Sequence, residues 1–216
     1  MVFFEFEGEA EATMSDNVSI VLTPEAQAAM AARGSLSGYA KKIAAGFPDR
    51  VTSDLAGFIS ELDTAFLATT SAEGAPYIQH RGGPKGFIKV LDDRTLGFAD
   101  FAGNRQYITI SNLAGNDRAF LFLLDFANRQ RIKVWGRARV VENDPKLMES
   151  LVDPGYRARP ERAILFTIEA WDVNCSQHIT ERYTQVEVAI AVSGLRDRIA
   201  ALEAELALLR GQAGQS

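Results

Sequence analysis

The sequence predicts a mainly β protein with flanking helices, in which an antiparallel sheet closes into a small barrel. Short β-rich segments follow one another between residues 65 and 173, and tight turns at residues 73–76 and 127–129 join several of them. Only short helices separate the other segments, whereas parallel strands need longer crossovers. These observations favour a closed antiparallel sheet over a βαβ architecture.

The chain before the sheet divides into two parts. Residues 1–17 carry four glutamates in alternation, and we expect a disordered extension there, with Met14 as an alternative start. Residues 18–62 are predicted to be helical. Thr23, Pro24 and Glu25 have the capping, conformational and charge preferences of a helix start, and a second short helix is expected over residues 36–45. From residue 53 on, apolar residues recur on one helical face.

The predicted strands alternate with turns through the middle of the chain. Short helices are predicted at residues 104–113 and 145–151. The strands are predicted at residues 65–70, 77–81, 87–91, 95–100, 119–126, 130–142 and 163–173. On the long strand 130–142, a spacing of two places several cations on one face. They are Arg131, Lys133, Arg137 and Arg139. This face is either solvated or directs Arg131 toward a bound anion.

The C-terminal segment, residues 184–210, has a heptad pattern. Its apolar residues are Val188, Val192, Leu195, Ile199, Leu202, Leu206 and Leu209. Their alternating spacing of four and three residues is typical of a coiled-coil seam. The same pattern would suit an amphipathic helix that packs on its own barrel, so both alternatives stay open. Residues 211–216 are expected to be a frayed tail.

Composition excludes several functional classes. The chain has 216 residues, a net charge of −5 and a pI near 5.2. General nucleic-acid binding is therefore not expected, although a local basic pocket could hold one phosphate. No apolar run is long enough to cross a membrane. The single cysteine, Cys175, excludes an intrachain disulfide and is consistent with a cytoplasmic location.

Residues 76–106 hold the main candidates for ligand binding. Six glycines lie between residues 74 and 103, among several cationic and amide side chains. Glycines allow close backbone approach, and arginine with amides can bind a phosphate. Arg105, near the start of the predicted helix 104–113, would add helix-terminal N–H groups. An ordinary solvated loop is the competing interpretation, since neither common nucleotide-binding glycine motif is present.

Two further patterns involve the only histidines, His80 and His178. Each follows a glutamine, Gln79 or Gln177, and the pairs would offer donors and acceptors to a polar heterocycle if the barrel brought them together. Cys175 and His178 form a C-x-x-H pattern, but a metal site needs three or four ligands, so no metal is predicted. A Cys–His nucleophile would lack a third member.

Residues 58–142 resemble the pyridoxamine 5′-phosphate oxidase-like, FMN-binding split-barrel superfamily. The matching segments are FISELDTAFLATTSAEGAPYIQHRGG, TLGFADFAGNRQY, NLAGNDRAFLFLLD and RIKVWGRARVVE, and AWDVNCSQHIT is similar to a signature of a bacterial branch of predicted flavin-nucleotide-binding proteins. The resemblance implies a six-stranded antiparallel split β-barrel over residues 63–183. It also implies a homodimer with FMN at the interface and no membrane or nucleic-acid partner.

The resemblance further implies the residues that bind the cofactor. Arg105 is expected to bind the phosphate, and Arg131 replaces a glutamine of the family. Gln177 and His178 are expected to reach the flavin from the C-terminal side. The remaining expected contacts are Gln79, His80, Arg81, Gly82, Gly83, Phe98, Ala99, Asp100, Asn104 and Gln106.

The implied activity is that of an FMN-dependent oxidoreductase acting on a small molecule. The vitamin-forming oxidases end in an arginine-containing segment, whereas this chain ends in the heptad segment, so vitamin B6 oxidation is not expected. The flavin would carry the redox chemistry, and no catalytic side chain is assigned. The alternatives are a non-catalytic flavin- or haem-binding module, and an adaptor in which the C-terminal helix is the working part.

Overall fold

The computed structural model describes residues 17–213, with side chains as far as residue 210. The expected disorder of residues 1–16, the alternative start at Met14 and the last three residues of the expected frayed tail lie outside this range. Contacts divide the chain into two compact units. The first contains the described residues up to Asp125 together with Gln130–Ser176, and the second joins Phe126–Arg129 to the segment from Gln177 onward.

The first unit contains six α-helices and a seven-stranded sheet. The helices are α1 (Val18–Val21), α2 (Pro24–Ala32), α3 (Ala40–Ala45), α4 (Ser53–Ser60), α5 (Ile108–Gly115) and α6 (Pro145–Leu151), and a 3-10 turn spans Leu36–Tyr39. The strands are β1 (Thr64–Thr70), β2 (Pro76–Gly82), β3 (Lys89–Val90), β4 (Thr95–Phe101), β5 (Arg118–Asp125), β6 (Gln130–Val141) and β7 (Pro160–Asn174).

The strands form one antiparallel sheet in the order β2-β1-β5-β6-β7-β4-β3. The predicted fold class is confirmed. The residue pattern predicted the seven strands observed, whereas the resemblance implied six. The seventh member is β3, whose two residues pair only with β4 at the edge of the sheet. The preceding residues Phe87 and Ile88 were predicted to be part of this strand, and they instead turn into the core, where both are buried.

Helix α4 packs on the core of the sheet because its apolar residues share a face. Leu55 and Ile59 of α4 are 0% and 1% exposed, and Leu62 just beyond the helix is 3% exposed. These residues join one continuous core with the inward side chains of β1, β5, β6 and β7. The Thr52 hydroxyl accepts a hydrogen bond from the Leu55 N–H (3.2 Å) and caps the helix.

A β-bulge interrupts the pairing of the two longest strands. Trp135 pairs with Ala170 and Gly136 pairs with Ile168, so Glu169 is an extra residue in β7. The strands approach so closely here that a Cβ at Gly136 would overlap the carbonyl oxygen of Thr167. Only glycine fits this crossing, and the bulge increases the local bend of the sheet.

Asn17, which was expected to belong to the disordered extension, is instead 3% exposed. Its amide nitrogen donates to the backbone carbonyls of Phe47 (2.8 Å) and Glu169 (2.9 Å), and its oxygen accepts from the Phe47 N–H (3.0 Å). The bulged carbonyl of Glu169 therefore has a partner although Glu169 is the unpaired residue of the ladder. The hydrogen bond from Asn17 to the Glu169 carbonyl therefore attaches the start of the N-terminal helical segment to β7.

The second unit is dominated by α7 (Gln185–Ala213), a helix of 29 residues. Thr184 and Glu187 form a reciprocal cap, in which the Thr184 hydroxyl accepts from the Glu187 N–H (3.2 Å) and the Glu187 carboxylate accepts from the Thr184 N–H (2.7 Å). The long C-terminal helix is thus confirmed. Most apolar residues of the predicted seam are exposed to solvent. None of the described helices could span a membrane.

Candidate functional site

A narrow cleft lies between β2, β4, the loop of residues 102–107 and the first turn of α5. Its volume is about 50 Å³, which is enough for a few water molecules or one phosphate-sized group. Six polar or aromatic side chains define its chemistry. They are Gln79, Arg81, Asp100, Arg105, Tyr107 and Arg162.

Asp100 of β4 joins two arginines at the floor of the cleft. One carboxylate oxygen pairs with the Arg81 guanidinium of β2, and the other accepts from Arg162 Nη1 of β7 (3.1 Å). The three side chains are only 10–12% exposed. Because β2 and β4 lie five strands apart in the ladder, the Arg81–Asp100 pair shows that the sheet curls until its ends meet.

Gln79 connects this network to α5. Its side-chain oxygen accepts from Arg81 Nη2 (3.0 Å) and from the Thr109 hydroxyl (2.9 Å). Gln79 and Arg81 share one face of β2 because side chains alternate along a strand. Gln79 therefore links the first turn of α5 to Arg81 at the floor of the cleft.

Arg162 has further partners besides Asp100. Its Nη2 donates to Glu161 (3.1 Å), and its guanidinium lies 5.1 Å from the centre of the Tyr107 ring. Burial lowers the pKa of Arg162, but the ion pair and hydrogen bond with Asp100, helped by Tyr107 and Glu161, outweigh this effect and raise the pKa above its ordinary value. Arg162 is thus a fixed cation of the cleft.

The loop before α5 differs from its prediction. The helix expected from residue 104 begins at Ile108, because Arg105 (φ 59°) and Tyr107 (φ 54°) have left-handed backbone conformations that a right-handed helix excludes. Arg105 therefore does not lie at a helix N-terminus, as the sequence had suggested, but on an exposed loop that lines the cleft. Within residues 17–210, its side chain forms no hydrogen bond or ion pair.

Three arginines and two acids line the cleft, and a third acid, Glu142, reaches Arg162 from beyond the lining (3.3 Å). The carboxylates of Asp100, Glu161 and Glu142 all pair with Arg81 or Arg162. Among the described residues, Arg105 is therefore the arginine of the cleft without a carboxylate partner. An anion entering the cleft would meet an exposed, uncompensated guanidinium above a rigid polar floor.

The structure places part of the expected cofactor site in this cleft. Among the residues that the resemblance implied, those lining the cleft are Gln79, Arg81, Asp100, Asn104, Arg105 and Gln106. Phe98 and Ala99 lie elsewhere, since their side chains are 1% and 6% exposed within the packed interior. Their predicted roles stay predictions, as does the site as a whole.

His80, Gly82 and Gly83 are at the outer face and end of β2. The His80 ring packs edge-on against Phe66, with 5.7 Å between ring centres. A Cβ at Gly82 would come within 2.9 Å of the His80 ring, and one at Gly83 within 2.6 Å of Phe87 Cβ. Packing against Phe87 therefore accounts for Gly83 without a ligand, whereas a side chain at Gly82 would meet the exposed His80 ring and the Asp63 carbonyl oxygen (3.2 Å).

The other expected contacts lie on separate parts of the molecule. Gln177 and His178 belong to the second unit, and their proximity to flavin stays a prediction. Arg131 is at the start of β6, where its Nε atom is buried without a hydrogen-bond partner. Within the part of the chain that the structure describes, no three His, Cys, Asp or Glu side chains form a metal-binding group.

Arg131 and Lys133 share the outer face of β6, as the spacing of two predicted. Beside them lies a larger cavity, of about 350 Å³, between the N-terminal helices and the sheet. Lys42 forms an ion pair with Asp172 there (2.5 Å). Burial lowers the pKa of the Lys133 ammonium; Asp172 opposes this effect, whereas the positive charges of Lys42 and Arg131 add to it.

Sequence reasoning missed Arg162, Tyr107 and Thr109. Arg162 and Asp100 are direct cross-strand neighbours in the β4–β7 ladder. An opposite-charge pair at one register position is a detectable signal, but only once the pairing of two strands some sixty residues apart is known. Tyr107 was hidden because the loop was predicted to be helical. Thr109 lies in α5, and its position beside the cleft depends on how that helix packs against β2.

A family model described as pyridoxamine 5′-phosphate oxidase matches residues 51–175. The match covers more than half of the 216 residues, and the chain belongs to this family. The expected superfamily assignment is confirmed. The matched segment contains α4 and the entire sheet, and thus the whole cleft. None of the curated proteins compared with the chain matches it.

Several solved structures are similar to the chain at low identity. HupZ of Group A Streptococcus is 16% identical, with 62% of this chain and 99% of that chain covered and a TM-score of 0.45. An FMN-binding protein of Syntrophomonas wolfei is 15% identical over 56% and 83% of the two chains, with a TM-score of 0.45. The FAD-binding protein of Mycobacterium smegmatis is 15% identical over 59% and 97%, with a TM-score of 0.40.

Proposed function

We propose that this protein binds FMN and holds the phosphate group in the cleft beside Arg105. The observation that carries the proposal is the exposed, uncompensated Arg105 guanidinium above the paired network of Arg81, Asp100 and Arg162. A dianionic phosphate needs such a cation, and the side chains of Asn104 and Gln106 are available as additional hydrogen-bonding groups on the same loop.

The size of the cleft agrees with the phosphate but not with the whole cofactor. A volume of about 50 Å³ is far smaller than the several hundred Å³ of an ordinary ligand pocket. The isoalloxazine ring of FMN therefore needs an additional contact surface. We propose that a second copy of the chain supplies it, in a homodimer with FMN at the interface, and that Arg131, Gln177 and His178 contribute from there.

Each residue of the cleft has a distinct task in this proposal. Arg105 binds the phosphate, and Asp100 prevents Arg81 and Arg162 from repelling each other. Gln79 fixes the direction of Arg81 through its shared hydrogen bonds. When bound, FMN would supply one- or two-electron redox chemistry. The protein would set the position of the flavin and exclude solvent from it.

The activity we propose is that of an FMN-dependent oxidoreductase with a small-molecule substrate, distinct from vitamin B6 oxidation. In support, the neighbouring structures include proteins whose names state FMN binding, FAD binding or reduction of F420. The segment that follows the sheet is the helix α7, at the place where the vitamin-forming oxidases that the chain resembles have an arginine-containing segment.

An FMN titration of the apoprotein tests the phosphate site. Arg105→Ala should weaken FMN binding by about 10- to 100-fold, the equivalent of one charge-assisted hydrogen-bond pair. Riboflavin, which lacks the phosphate, should bind wild type and variant equally. Arg33→Ala removes an exposed arginine of the N-terminal segment and serves as the control. Equal FMN affinity of wild type and Arg105→Ala would exclude the proposed phosphate contact.

The spectrum of the purified protein separates the candidate cofactors. Bands near ~370 and ~450 nm with release of FMN on heating support the proposal, whereas a strong band near ~400 nm indicates haem. Anaerobic addition of NADH or NADPH, followed by an electron acceptor, then tests turnover. A flavin that is bound but neither reduced nor reoxidised would leave a non-catalytic binding module.

A further inference from the structure

We propose that α7 forms a parallel, in-register, two-stranded coiled coil with α7 of a second copy of this chain. The inference concerns the second unit alone and does not rest on flavin binding. The proposed binding partner of the heptad segment is the identical helix of the second copy.

The first argument is the exposure of the apolar seam. The six seam residues with the largest exposure are 40–64% exposed although they lie on one helical stripe. They are Val188, Leu195, Ile199, Leu202, Leu206 and Leu209. A continuous apolar stripe of this length is unusual on a solvated surface and is typical of an interaction site. Helix α7 spans 29 residues, or about 43 Å, which accommodates three full heptads.

The second argument is the choice of residue at each core position. Taking Val192 as position a, the a positions are Val192, Ile199 and Leu206, and the d positions from the second onward are Leu195, Leu202 and Leu209. β-Branched residues at a combined with leucine at d favour parallel two-stranded coiled coils. Two of the three a positions have this character, and every d position after Val188 is leucine.

The third argument is the charge at the flanking positions. In a parallel pair, Arg198 faces Glu203 of the second copy, and Glu205 faces Arg210 of the second copy. Both contacts join opposite charges. An antiparallel pair could also match charges, with Arg196 near Glu203 and Arg198 near Glu205. The charges thus favour an identical partner in either case, and the core residues favour the parallel orientation.

The outward positions agree with a single seam. Gly194, Asp197, Ala200 and Ala204 are small or polar and are exposed. Val186, Ile190 and Leu208 are the apolar exceptions, 67%, 69% and 69% exposed, and they occupy three different outward positions. No second continuous stripe therefore competes with the seam within the described part of α7.

Disulfide trapping of the full chain tests the proposal. In a Cys175→Ser background, Leu195→Cys places one thiol at a d position, where parallel in-register helices bring the two copies within disulfide reach. Ala204→Cys, on the outward face of the same helix, is the matched control. Both sites are exposed in the single chain, so reactivity alone does not distinguish them. Circular dichroism verifies that each variant is folded.

At low protein concentration, we expect the cross-linked fraction of Leu195→Cys to exceed that of Ala204→Cys at least about tenfold. Equal cross-linking of the two variants, or none, would overturn the proposal. An antiparallel pair would instead link Leu195→Cys to Leu206→Cys in a mixture of the two variants, without a Leu195→Cys homodimer. That result would also contradict the parallel arrangement.

The FMN content of the same preparations keeps this result separate from the proposed function. A cross-linked tail with no flavin bound would support the coiled coil and contradict the flavin proposal. Bound FMN with no cross-link at residue 195 would support the flavin proposal and contradict the coiled coil. A dimer that forms through the barrel alone would give this result.

Discussion

Arg81 and Asp100 form an ion pair although their strands, β2 and β4, are separated by four other strands in the sheet. Both side chains are about nine-tenths buried. The pair therefore links β2 to β4 where the two ends of the curled sheet meet. The same carboxylate binds Arg162, so loss of Asp100 would leave the buried Arg81 guanidinium without its carboxylate, whereas Arg162 would keep Glu161 and Glu142.

Asp100→Asn should therefore be strongly destabilising. We expect the free energy of unfolding to fall by about 2 to 4 kcal/mol, since breaking a buried pair leaves uncompensated buried charge. Urea denaturation measures the change. The control is Asp117→Asn, whose carboxylate pairs with Arg137 at 2.7 Å but is 50% exposed, and which should cost less than about 1 kcal/mol. Similar losses in both variants would contradict a special role for Asp100.

Asn17→Ala tests the attachment of the N-terminal segment. The substitution leaves the carbonyls of Phe47 and Glu169 and the N–H of Phe47 without a side-chain partner. Unfolding should become easier by about 2 to 4 kcal/mol because buried backbone groups lose their hydrogen bonds. Asn116→Ala, which removes one hydrogen bond to the exposed Arg118 N–H, should cost about 1 kcal/mol or less.

Lys133 predicts a pH dependence of stability. Its pKa is lowered in the folded protein, mainly by burial, so the unfolded chain binds more protons in the pH range below the ordinary lysine pKa of 10.5. Stability attributable to this group therefore rises as the pH increases through that range. Lys133→Met should be more stable than wild type at neutral pH, and the difference should shrink toward pH 10.5.

Chemical denaturation at several pH values measures this difference. Lys41→Met, which removes an exposed lysine of α3, is the control and should keep a constant offset from wild type. A Lys133→Met curve parallel to that of wild type would show that the partly buried Lys133 ammonium does not contribute to the pH dependence.

Gly194→Ala should stabilise α7. The glycine is in the middle of the helix with open space around its Cα, and alanine restricts the unfolded chain while it favours the helix. We expect a gain of about 0.4 to 1 kcal/mol, measured by thermal melting of the helical circular dichroism signal. Gly34→Ala is the informative contrast. Its surroundings are equally open, but its φ of +72° disfavours alanine, so that variant should lose stability.

The sheet and the core could be predicted because their patterns are local. Alternation along β6 predicted that Arg131 and Lys133 share one face of the strand, and helical spacing predicted that the apolar residues of α4 share one face of the helix. The loop before α5 could not be predicted, since helix propensity does not reveal the left-handed conformation of Arg105.

Long-range pairing accounts for the other failures. Arg162 belongs to the candidate site only through its register with Asp100. Asn17 resembles an exposed polar residue in the sequence, and its burial depends on a bulge at Glu169 that no local pattern indicates. These residues become recognisable only after the strands are paired.

The missing side chain at Gly136 has a consequence far from its own position. Gly136 lines none of the cleft, but any larger residue there would force β6 and β7 apart at the bulge. β7 carries Arg162 and pairs with β4, which carries Asp100. The β6–β7 crossing therefore sets the circumference of the barrel, and a wider crossing would pull the floor of the cleft open. A substitution at Gly136 would then weaken anion binding in the cleft without changing any residue that lines it.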